Sequence, residues 1–279
     1  MPTTPPQFTL TRHTPSYWRA TFDNPPINLL HPTSIVELDA LITLIETDPV
    51  VRVVVFDSAN AEFFIAHYDM LVPKTVTATM KPGRTGMHPW LDVLTRLSRV
   101  PAATIASIRG RARGAGSEFA LACDMRFASR EKAILGQFEV GVGAVPGGGP
   151  MARLPRLIGR GRALEVLLGA DDFDGTLAEQ YGYVNRAVPD AELDAFVDAF
   201  ARRLAGFEKA AIVETKRFVD QASLPPDSVF PPALETFYAS VARAETRARS
   251  AALVEIGLQT RSDAELRLGH HVAEYRPPA

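Results

Sequence analysis

Two glutamates stand next to glycine-rich segments, where a substrate can approach the backbone closely. Glu118 follows the turn at residues 110–116, and Glu139 precedes the glycine run at residues 141–149. Two carboxyl groups that face one apolar site acquire different pKa values, so one can donate a proton while the other accepts one. The pair is therefore a candidate for general acid–base catalysis. The alternative interpretations are a helix-dipole role for Glu118 and a solvated loop carboxylate at Glu139.

The turn before Glu118 is a second candidate for chemistry, because a predicted buried strand leads into it and a helix begins directly after it. The first N–H groups of a helix have no acceptor within the helix and lie at the positive end of its dipole. Such groups can hold an oxygen that becomes anionic during a reaction. Because the two glutamates are far apart in sequence, only a fold that brings two strand ends together can pair them.

The composition excludes several functional classes. The chain has 279 residues, of which 46% are hydrophobic and 22% charged, and its formal net charge of −2 offers no basic excess for nucleic acid. A single cysteine, Cys123, excludes an intrachain disulfide framework, and the scattered His and Cys residues predict no metal site. No stretch approaches the roughly 20 apolar residues of a membrane span, and residues 1–7 lack the apolar core of a secretion signal. These features predict a cytoplasmic globular protein that binds neither nucleic acid nor a membrane.

Hydrophobic periodicity predicts the elements that must position these residues. Residues 7–12 and 18–22 alternate apolar and polar side chains as the two strands of a hairpin do. Residues 51–56 and 103–108 are apolar runs typical of strands covered on both faces. Strand, strand and helix recur through about residue 200, which predicts an α/β fold but does not separate a spiral from a doubly wound sheet.

The character of the chain changes after Gly206, where apolar residues recur at helical spacing. We therefore place a boundary near residue 205. Residues 1–205 form the predicted core that carries the active site. Residues 206–279 form a predicted helical C-terminal region whose amphipathic helices suit oligomerisation.

A third segment, residues 61–70, has no chemical signature of its own. Together with the turn that ends in Glu118 and the segments at residues 136–139 and 146–149, it resembles the enoyl-CoA hydratase/isomerase (crotonase) superfamily over nearly the whole chain. The resemblance implies a crotonase-like spiral of repeated ββα units with a C-terminal helical appendage. It also implies an acyl-CoA substrate, no separate cofactor because coenzyme A enters as part of the substrate, and a homotrimer or dimer of trimers.

The resemblance assigns roles to individual residues. The backbone N–H groups of Tyr68 and Ala115 match an oxyanion hole for the thioester oxygen. Glu118 and Glu139 match the two glutamates that hydratases of this family use on either side of a water molecule. The positions implied to bind substrate or CoA are Ala66, at the adenine end of CoA, His67, Asp69, Gly114, and Gly147, at the water site.

The implied activity is syn hydration of a 2,3 double bond by way of an enolate held in the oxyanion hole. Retention of both glutamates favours hydration over double-bond isomerisation, which needs only one base. Isomerisation, cleavage of a hydroxyacyl-CoA and a non-catalytic acyl-CoA-binding role remain open alternatives. The choice of which glutamate is the acid is also open.

The chain departs from the family pattern at His67 and Tyr68, which replace smaller residues. Their backbone N–H groups can still donate, but their side chains reshape the acyl pocket or the CoA channel, with either a packing or a catalytic role. Arg109, Arg111 and Arg113 alternate along the approach to the turn, which places them on one face. This row predicts either pairing with acidic residues at a subunit interface or contact with CoA phosphates or an acidic acyl group.

Overall fold

A computed structural model of the chain describes residues 6–275, so most of the polar opening segment, on which the expected lack of a secretion signal rested, lies outside the described residues. The strands are β1 Phe8–Thr14, β2 Tyr17–Phe22, β3 Val53–Ser58, β4 Phe63–Ile65, β5 Ala103–Ile108, β6 Arg111–Arg113, β7 Met125–Ser129, β8 Ile134–Gly136, β9 Phe173–Asp174 and β10 Arg186–Val188. The α-helices are α1 Pro32–Thr47, α2 Lys74–Ala78, α3 Pro89–Leu97, α4 Ala115–Ala122, α5 Pro150–Ile158, α6 Arg160–Gly169, α7 Gly175–Tyr181, α8 Leu193–Ala205, α9 Lys209–Ser223, α10 Phe230–Val241, α11 Ala244–Glu255, α12 Asp263–Leu266 and α13 Leu268–Glu274.

The strands form two sheets, which the chain visits alternately. The first sheet has the order β1-β2-β3-β5-β7-β10, and its strands are parallel except for the predicted β1–β2 hairpin. The second has the order β4-β6-β8-β9, and only β9 is antiparallel to its neighbour. Each of the pairs β3–β4, β5–β6 and β7–β8 places one strand in each sheet, and helices follow the first two pairs. The predicted α/β class is confirmed, and the alternation makes the architecture a spiral rather than a doubly wound sheet.

Strand β3 is buried on both faces, as its β-branched sequence predicts. Val54 and Phe56 belong to the main core, which also contains residues of α1, α3 and α4. Val53 and Val55 belong to a second cluster with Val197 of α8. The first sheet is therefore covered by helices on both sides.

Helices occupy most of the described chain beyond Gly206. Helices α10 and α11 are separate because the chain turns between Val241 and Ala244. The tail packs back onto the spiral, with Glu265 of α12 in contact with His67. The division of the chain into two domains near residue 205 stays a prediction. None of the helices between residues 6 and 275 combines the length and apolar character needed to cross a membrane.

Candidate active site

The second sheet brings the chemically interesting segments together. Strands β4, β6 and β8 are parallel neighbours, so their C-terminal ends lie at one edge of the sheet. Tyr68 follows β4, Ala115 and Glu118 follow β6, and Glu139 follows β8. These four residues and Gly147 line one cavity. The structure therefore gathers both glutamates and both expected oxyanion donors around the same space.

Helix α4 starts at Ala115 because Gly114 turns the chain sharply between β6 and the helix. Gly114 has a φ of 47°, in the region that favours glycine. A β-carbon at Gly114 would lie 3.0 Å from both Glu139 Oε1 and Phe138 Cε1. Glycine at this position therefore forms the turn and also leaves room beside the Glu139 carboxyl group.

The carboxyl group of Glu118 is buried, with 4% of the residue exposed, and both of its oxygens accept hydrogen bonds. The indole N–H of Trp90 donates to Oε2 at 2.8 Å, and the backbone N–H of Gly148 donates to Oε1 at 2.7 Å. Burial raises the pKa of Glu118, whereas these two donors and the positive charge of Arg153 act in the opposite direction. The pKa of Glu118 is therefore lower than burial alone would make it, and the carboxylate form is correspondingly more stable.

Gly148 lies so close to Glu118 that no side chain fits there. A β-carbon on Gly148 would overlap the Glu118 carboxyl group and lie 2.6 Å from Trp90 Nε1. The missing side chain lets the Gly148 N–H reach Glu118 Oε1 directly. Behind Glu118, Arg153 of α5 donates through Nη1 to Ser98 Oγ at 2.8 Å. Burial lowers the pKa of Arg153 to about 10, so its guanidinium is still cationic at neutral pH.

The carboxyl group of Glu139 has a different environment from that of Glu118. Burial, and then the negative charge of Glu118, raise the pKa of Glu139 to about 8. A hydrogen bond from its own backbone N–H acts in the opposite direction, but Glu139 has no counterpart to the Trp90 and Gly148 donors or to the Arg153 charge near Glu118. At neutral pH the pair therefore consists of a protonated Glu139 and a Glu118 that is the more readily ionised partner.

A buried polar chain lies behind Glu139. The side-chain amide of Gln137 has one end 3.2 and 3.0 Å from Glu139 Oε1 and Oε2, and its other end 3.0 Å from Ser117 Oγ. Ser117 Oγ in turn hydrogen-bonds the Tyr183 hydroxyl. By turning over, the amide can accept a hydrogen bond from the protonated acid or donate one to the carboxylate. Gln137 therefore orients Glu139 in either protonation state.

The segment around Tyr68 is anchored on both sides of that residue. The N–H of Leu30 donates to the His67 carbonyl at 2.8 Å, and the N–H of Asp69 donates to the Leu30 carbonyl at 2.9 Å. Within residues 6–275 the N–H of Tyr68 has no acceptor, and the N–H of Ala115, the first residue of α4, has none either. Two free N–H donors are thus available next to the cavity that both residues line.

Ala66 and Asp69, predicted as substrate- or CoA-binding positions, do not line this cavity. The N–H of Ala66 donates to the Asn28 carbonyl at 3.1 Å, and its carbonyl accepts from the Arg113 N–H at 3.2 Å. Asp69 Oδ1 accepts from the Gln259 side-chain amide at 3.0 Å. Both residues hold the loop in place, and their contacts with CoA stay predictions.

His67 faces the C-terminal tail with its side chain. Its Nε2 lies 3.1 Å from Glu265 Oε2, and its Nδ1 lies 2.8 Å from the Tyr68 carbonyl oxygen. Burial acts to lower the pKa of His67, but the Glu265 carboxylate outweighs burial and the pKa is raised. His67 and Gly114 line a neighbouring cavity, which shares Tyr68, Ala115, Glu139 and Phe237 with the first. Of the two roles expected for His67, the structure supports packing, through a buried ion pair.

The arginine row makes its contacts within the chain. Arg109 Nε donates to Asp190 at 2.8 Å, and Arg113 Nε donates to Asp172 at 2.6 Å. Arg111 donates to a backbone carbonyl of the tail. Arg109 and Arg113 therefore pair with acidic residues of the same chain, and a location of the row at a subunit interface stays a prediction. None of the three arginines lines the cavity with the glutamates, so the row places no positive charge there for an acidic acyl group.

Sequence reasoning missed the rest of the cavity wall. Its further lining residues are Ile35, Thr77, His88, Trp90, Gly148, Leu234, Phe237 and Tyr238. The place of Gly148 in the glycine run was a sequence signal for its role, whereas no pattern in the sequence indicated Phe237 and Tyr238 of α10. Because α10 folds back over the cavity, the site is not confined to residues 1–205, where it was expected.

Known proteins resemble this chain in sequence. A family model described as enoyl-CoA hydratase/isomerase matches residues 16–255. A short-chain-enoyl-CoA hydratase from Clostridium acetobutylicum is 31% identical over 195 residues, which cover 70% of this chain and 74% of that protein. A crotonyl-CoA hydratase from Syntrophomonas wolfei is 31% identical over 188 residues, which cover 67% of this chain and 70% of that protein.

Solved structures also resemble it. A Streptomyces avermitilis protein described as a candidate enoyl-CoA hydratase aligns with a TM-score of 0.92 at 46% identity, covering 97% of this chain and 98% of that one. An enoyl-CoA hydratase from Bacillus anthracis aligns with a TM-score of 0.70 at 25% identity, covering 89% of this chain and 96% of that one. The coverage of the first alignment includes the helical tail that closes the cavity.

Proposed function

This chain belongs to the enoyl-CoA hydratase/isomerase family, and on that premise we propose that it hydrates 2-enoyl-CoA thioesters. The observation that carries the proposal is the convergence of Glu118 and Glu139 on the cavity that Tyr68 and Ala115 also line. Two carboxyl groups of unequal pKa can act as an acid and a base on a double bond and a water molecule that lie between them. An isomerase requires only one of these groups.

The surroundings of the two carboxyl groups support a division of roles between them. Glu118 accepts two N–H donors and lies near the charge of Arg153, which suits a carboxylate that takes a proton from water. Glu139 has its pKa raised to about 8, which suits an acid that delivers a proton to the α-carbon. In this proposal Glu118 is the base and Glu139 is the acid.

The proposed reaction adds one molecule of water. Glu118 removes a proton from water as the water oxygen bonds to C3, and the π electrons move through C2 onto the thioester oxygen. The N–H groups of Tyr68 and Ala115 stabilise the resulting enolate more than the ground-state carbonyl, because negative charge strengthens both hydrogen bonds. The enolate takes the proton of Glu139 at C2. The proton held on Glu118 then returns to Glu139 before the next turnover.

Incubation with crotonyl-CoA tests the proposal, because the absorbance of the conjugated thioester disappears when water adds. Enoyl-CoA substrates of short and long chain should be compared, since the chain length is open. Conversion of a 3-enoyl-CoA without hydration of any 2-enoyl-CoA would instead support isomerisation. Acyl-CoA binding without any turnover would support the non-catalytic alternative.

We expect kcat/KM for hydration to fall as the pH rises through about 8. Glu139 must carry a proton to act as the acid, and its pKa is about 8. Loss of that proton above this pH removes the acid, whereas protonation of Glu118 produces the separate loss of activity at low pH. Initial rates across both limbs measure this profile. Activity that stays constant up to about one pH unit above 8 would contradict the role of Glu139.

Replacing Trp90 by phenylalanine is expected to move the acidic limb of that profile to higher pH. Phenylalanine retains an aromatic ring but lacks the N–H that donates to Glu118 Oε2. Loss of a donor to the carboxylate raises its pKa, by roughly 1–2 units if one hydrogen bond to a charged group is lost. The kcat/KM profiles of both proteins give the shift. An acidic limb at the same pH in the two proteins would mean that Trp90 only packs.

We also infer that the protein assembles into a homotrimer or a dimer of trimers. Helix α9 has no buried residue within the chain, and Phe218 and Val219 expose 62% and 57% of their surface. Exposed apolar surface of this kind is typical of subunit contacts. Sedimentation equilibrium would test the inference, with three or six times the chain mass expected. The cytoplasmic location stays a prediction from composition.

A further inference from the structure

One part of the cavity wall consists of uncharged hydrogen-bonding groups that the proposed hydration does not use. Tyr68, Thr77, His88 and Tyr238 all line the cavity. The Tyr68 hydroxyl lies 2.6 Å from Thr77 Oγ1, and the Tyr238 hydroxyl lies 3.2 Å from His88 Nε2. Apart from the two glutamates, the other side chains of the wall are mostly apolar, among them Ile35, Leu234 and Phe237.

The hydrogen bonds of His88 determine where its proton lies. Its Nε2 is 2.9 Å from the Thr77 carbonyl oxygen, which can only accept, so Nε2 carries the hydrogen. Its Nδ1 accepts from the Trp90 backbone N–H at 3.2 Å. His88 is therefore a neutral imidazole with a defined tautomer, and burial lowers its pKa, which keeps it neutral.

The fixed tautomer leaves hydroxyl protons unused. Because the one hydrogen on His88 Nε2 is donated to the Thr77 carbonyl, Nε2 has no lone pair that could accept from the Tyr238 hydroxyl 3.2 Å away. The Tyr238 O–H therefore has no acceptor among residues 6–275. In the Tyr68–Thr77 pair one hydroxyl donates to the other, so one further O–H proton is left over. The wall therefore has two O–H donors without an acceptor among residues 6–275.

The charges around the cavity exclude an anionic ligand group at this wall. Glu118 and Glu139 are the acidic residues that line the cavity, and no lysine or arginine lines it in the described part of the chain. A carboxylate on the substrate would meet the Glu118 carboxylate, which has the same sign, without a lysine or arginine in the cavity wall to offset the repulsion. An uncharged oxygen meets no such penalty and can accept from Tyr238.

We propose that the preferred substrates are 2-enoyl-CoA thioesters whose acyl chain carries an uncharged oxygen acceptor, such as a hydroxyl group, held by the O–H groups of Tyr238 and of the Tyr68–Thr77 pair. This inference rests on the proposed hydratase function. It names the substrate class of the same site.

Three matched substrates test the proposal, each of the form X–(CH2)n–CH=CH–CO–SCoA with X as methyl, hydroxyl or carboxylate. They are compared at two spacer lengths, one and three methylene groups. We expect the hydroxyl substrate to exceed its methyl counterpart in kcat/KM by about 10-fold for at least one spacer, as one hydrogen bond supplies. The carboxylate substrate is expected to be the poorest of the three.

The Tyr238→Phe variant tests which group makes the selection. It removes one hydroxyl and keeps the ring, and we expect the hydroxyl-to-methyl ratio of kcat/KM to fall towards one. Tyr181→Phe is the matched control, because the Tyr181 hydroxyl donates to Glu165 and neither residue lines the cavity. This variant should retain the hydroxyl-to-methyl ratio of the unmodified protein.

Each outcome separates this inference from the function on which it rests. If the unmodified protein hydrates none of the substrates, the hydratase proposal fails and the inference fails with it. If it hydrates them with a ratio at or below one, or if Tyr238→Phe keeps the full ratio, only the inference is overturned. The ratio of the unmodified protein is informative even if the variant does not fold.

Discussion

Glu118→Gln and Glu139→Gln are each expected to slow hydration by about 10²- to 10⁴-fold, the range typical of a lost general acid or base. Glutamine at 118 cannot take a proton from water, and its NH2 group would face the N–H donor of either Trp90 or Gly148. Glutamine at 139 retains the size of the side chain but has no proton to deliver. Steady-state kinetics with crotonyl-CoA measures both losses. A variant with near-normal turnover would remove that residue from the acid–base pair.

The two variants should differ in a second reaction, which separates their roles. Exchange of the α-protons of butyryl-CoA with D2O needs the residue that faces the α-carbon and the oxyanion donors, but no attack by water. We expect Glu118→Gln to retain this exchange and Glu139→Gln to lose it, as followed by NMR. Loss of the exchange in Glu118→Gln and its retention in Glu139→Gln would mean that Glu118 is the acid and Glu139 the base. Glu179→Gln, at an exposed position on α7, is the matched control and should leave both reactions unaffected.

Glu265→Ala is expected to reduce the free energy of unfolding by about 3–5 kcal/mol, the cost of removing one partner from a buried ion pair. Glu265 Oε2 accepts a hydrogen bond from the Gln259 N–H and lies 3.1 Å from His67 Nε2. The side chains of His67 and Glu265 are at most 1% exposed. Arg113 Nη1 also lies 3.8 Å from Glu265 Oε1. The variant leaves the buried His67 ring without the carboxylate that pairs with it.

Chemical denaturation at a fixed protein concentration measures the loss in stability. Asp263→Ala is the matched control on the same helix, because Asp263 is 61% exposed and forms only exposed pairs, with Arg267 and His271, among the described residues. Such surface pairs contribute about 1 kcal/mol or less. Equal losses in the two variants would contradict the special role of the buried pair.

The stabilising effect of the His67–Glu265 pair depends on pH in a defined direction. The pKa of His67 is raised above its ordinary 6.5, so its contribution is complete below that value and is lost as the pH rises through the raised pKa. The pKa of Glu265 is lowered below its ordinary 4.5, so its contribution is lost as the pH falls through the lowered pKa. The stability difference between the protein and Glu265→Gln should therefore be largest between these two ordinary values.

The residues that define the chemistry could be recognised along the chain, because each lies in a local pattern with a physical meaning. Glu118 follows a strand–turn–helix junction, and the junction itself supplies a free N–H at Ala115. Glu139 precedes a glycine run, and the buried character of β3 was evident from its β-branched side chains. The type of a strand, the position of a turn and the start of a helix depend on residues that are neighbours in the chain. They can therefore be predicted from a single sequence.

The partners of those residues depended on the tertiary structure alone. The donor to Glu118 is Trp90 on a different helix, and the counter-charge of His67 is Glu265, 198 positions further along the chain. Nothing in the type of a tryptophan or glutamate identifies which distant group it will meet, because that contact is determined by how the sheets, α3 and the tail pack together. The feature first visible as a pair of glutamates therefore acquires its acid and its base only when the fold gives each carboxyl group different neighbours.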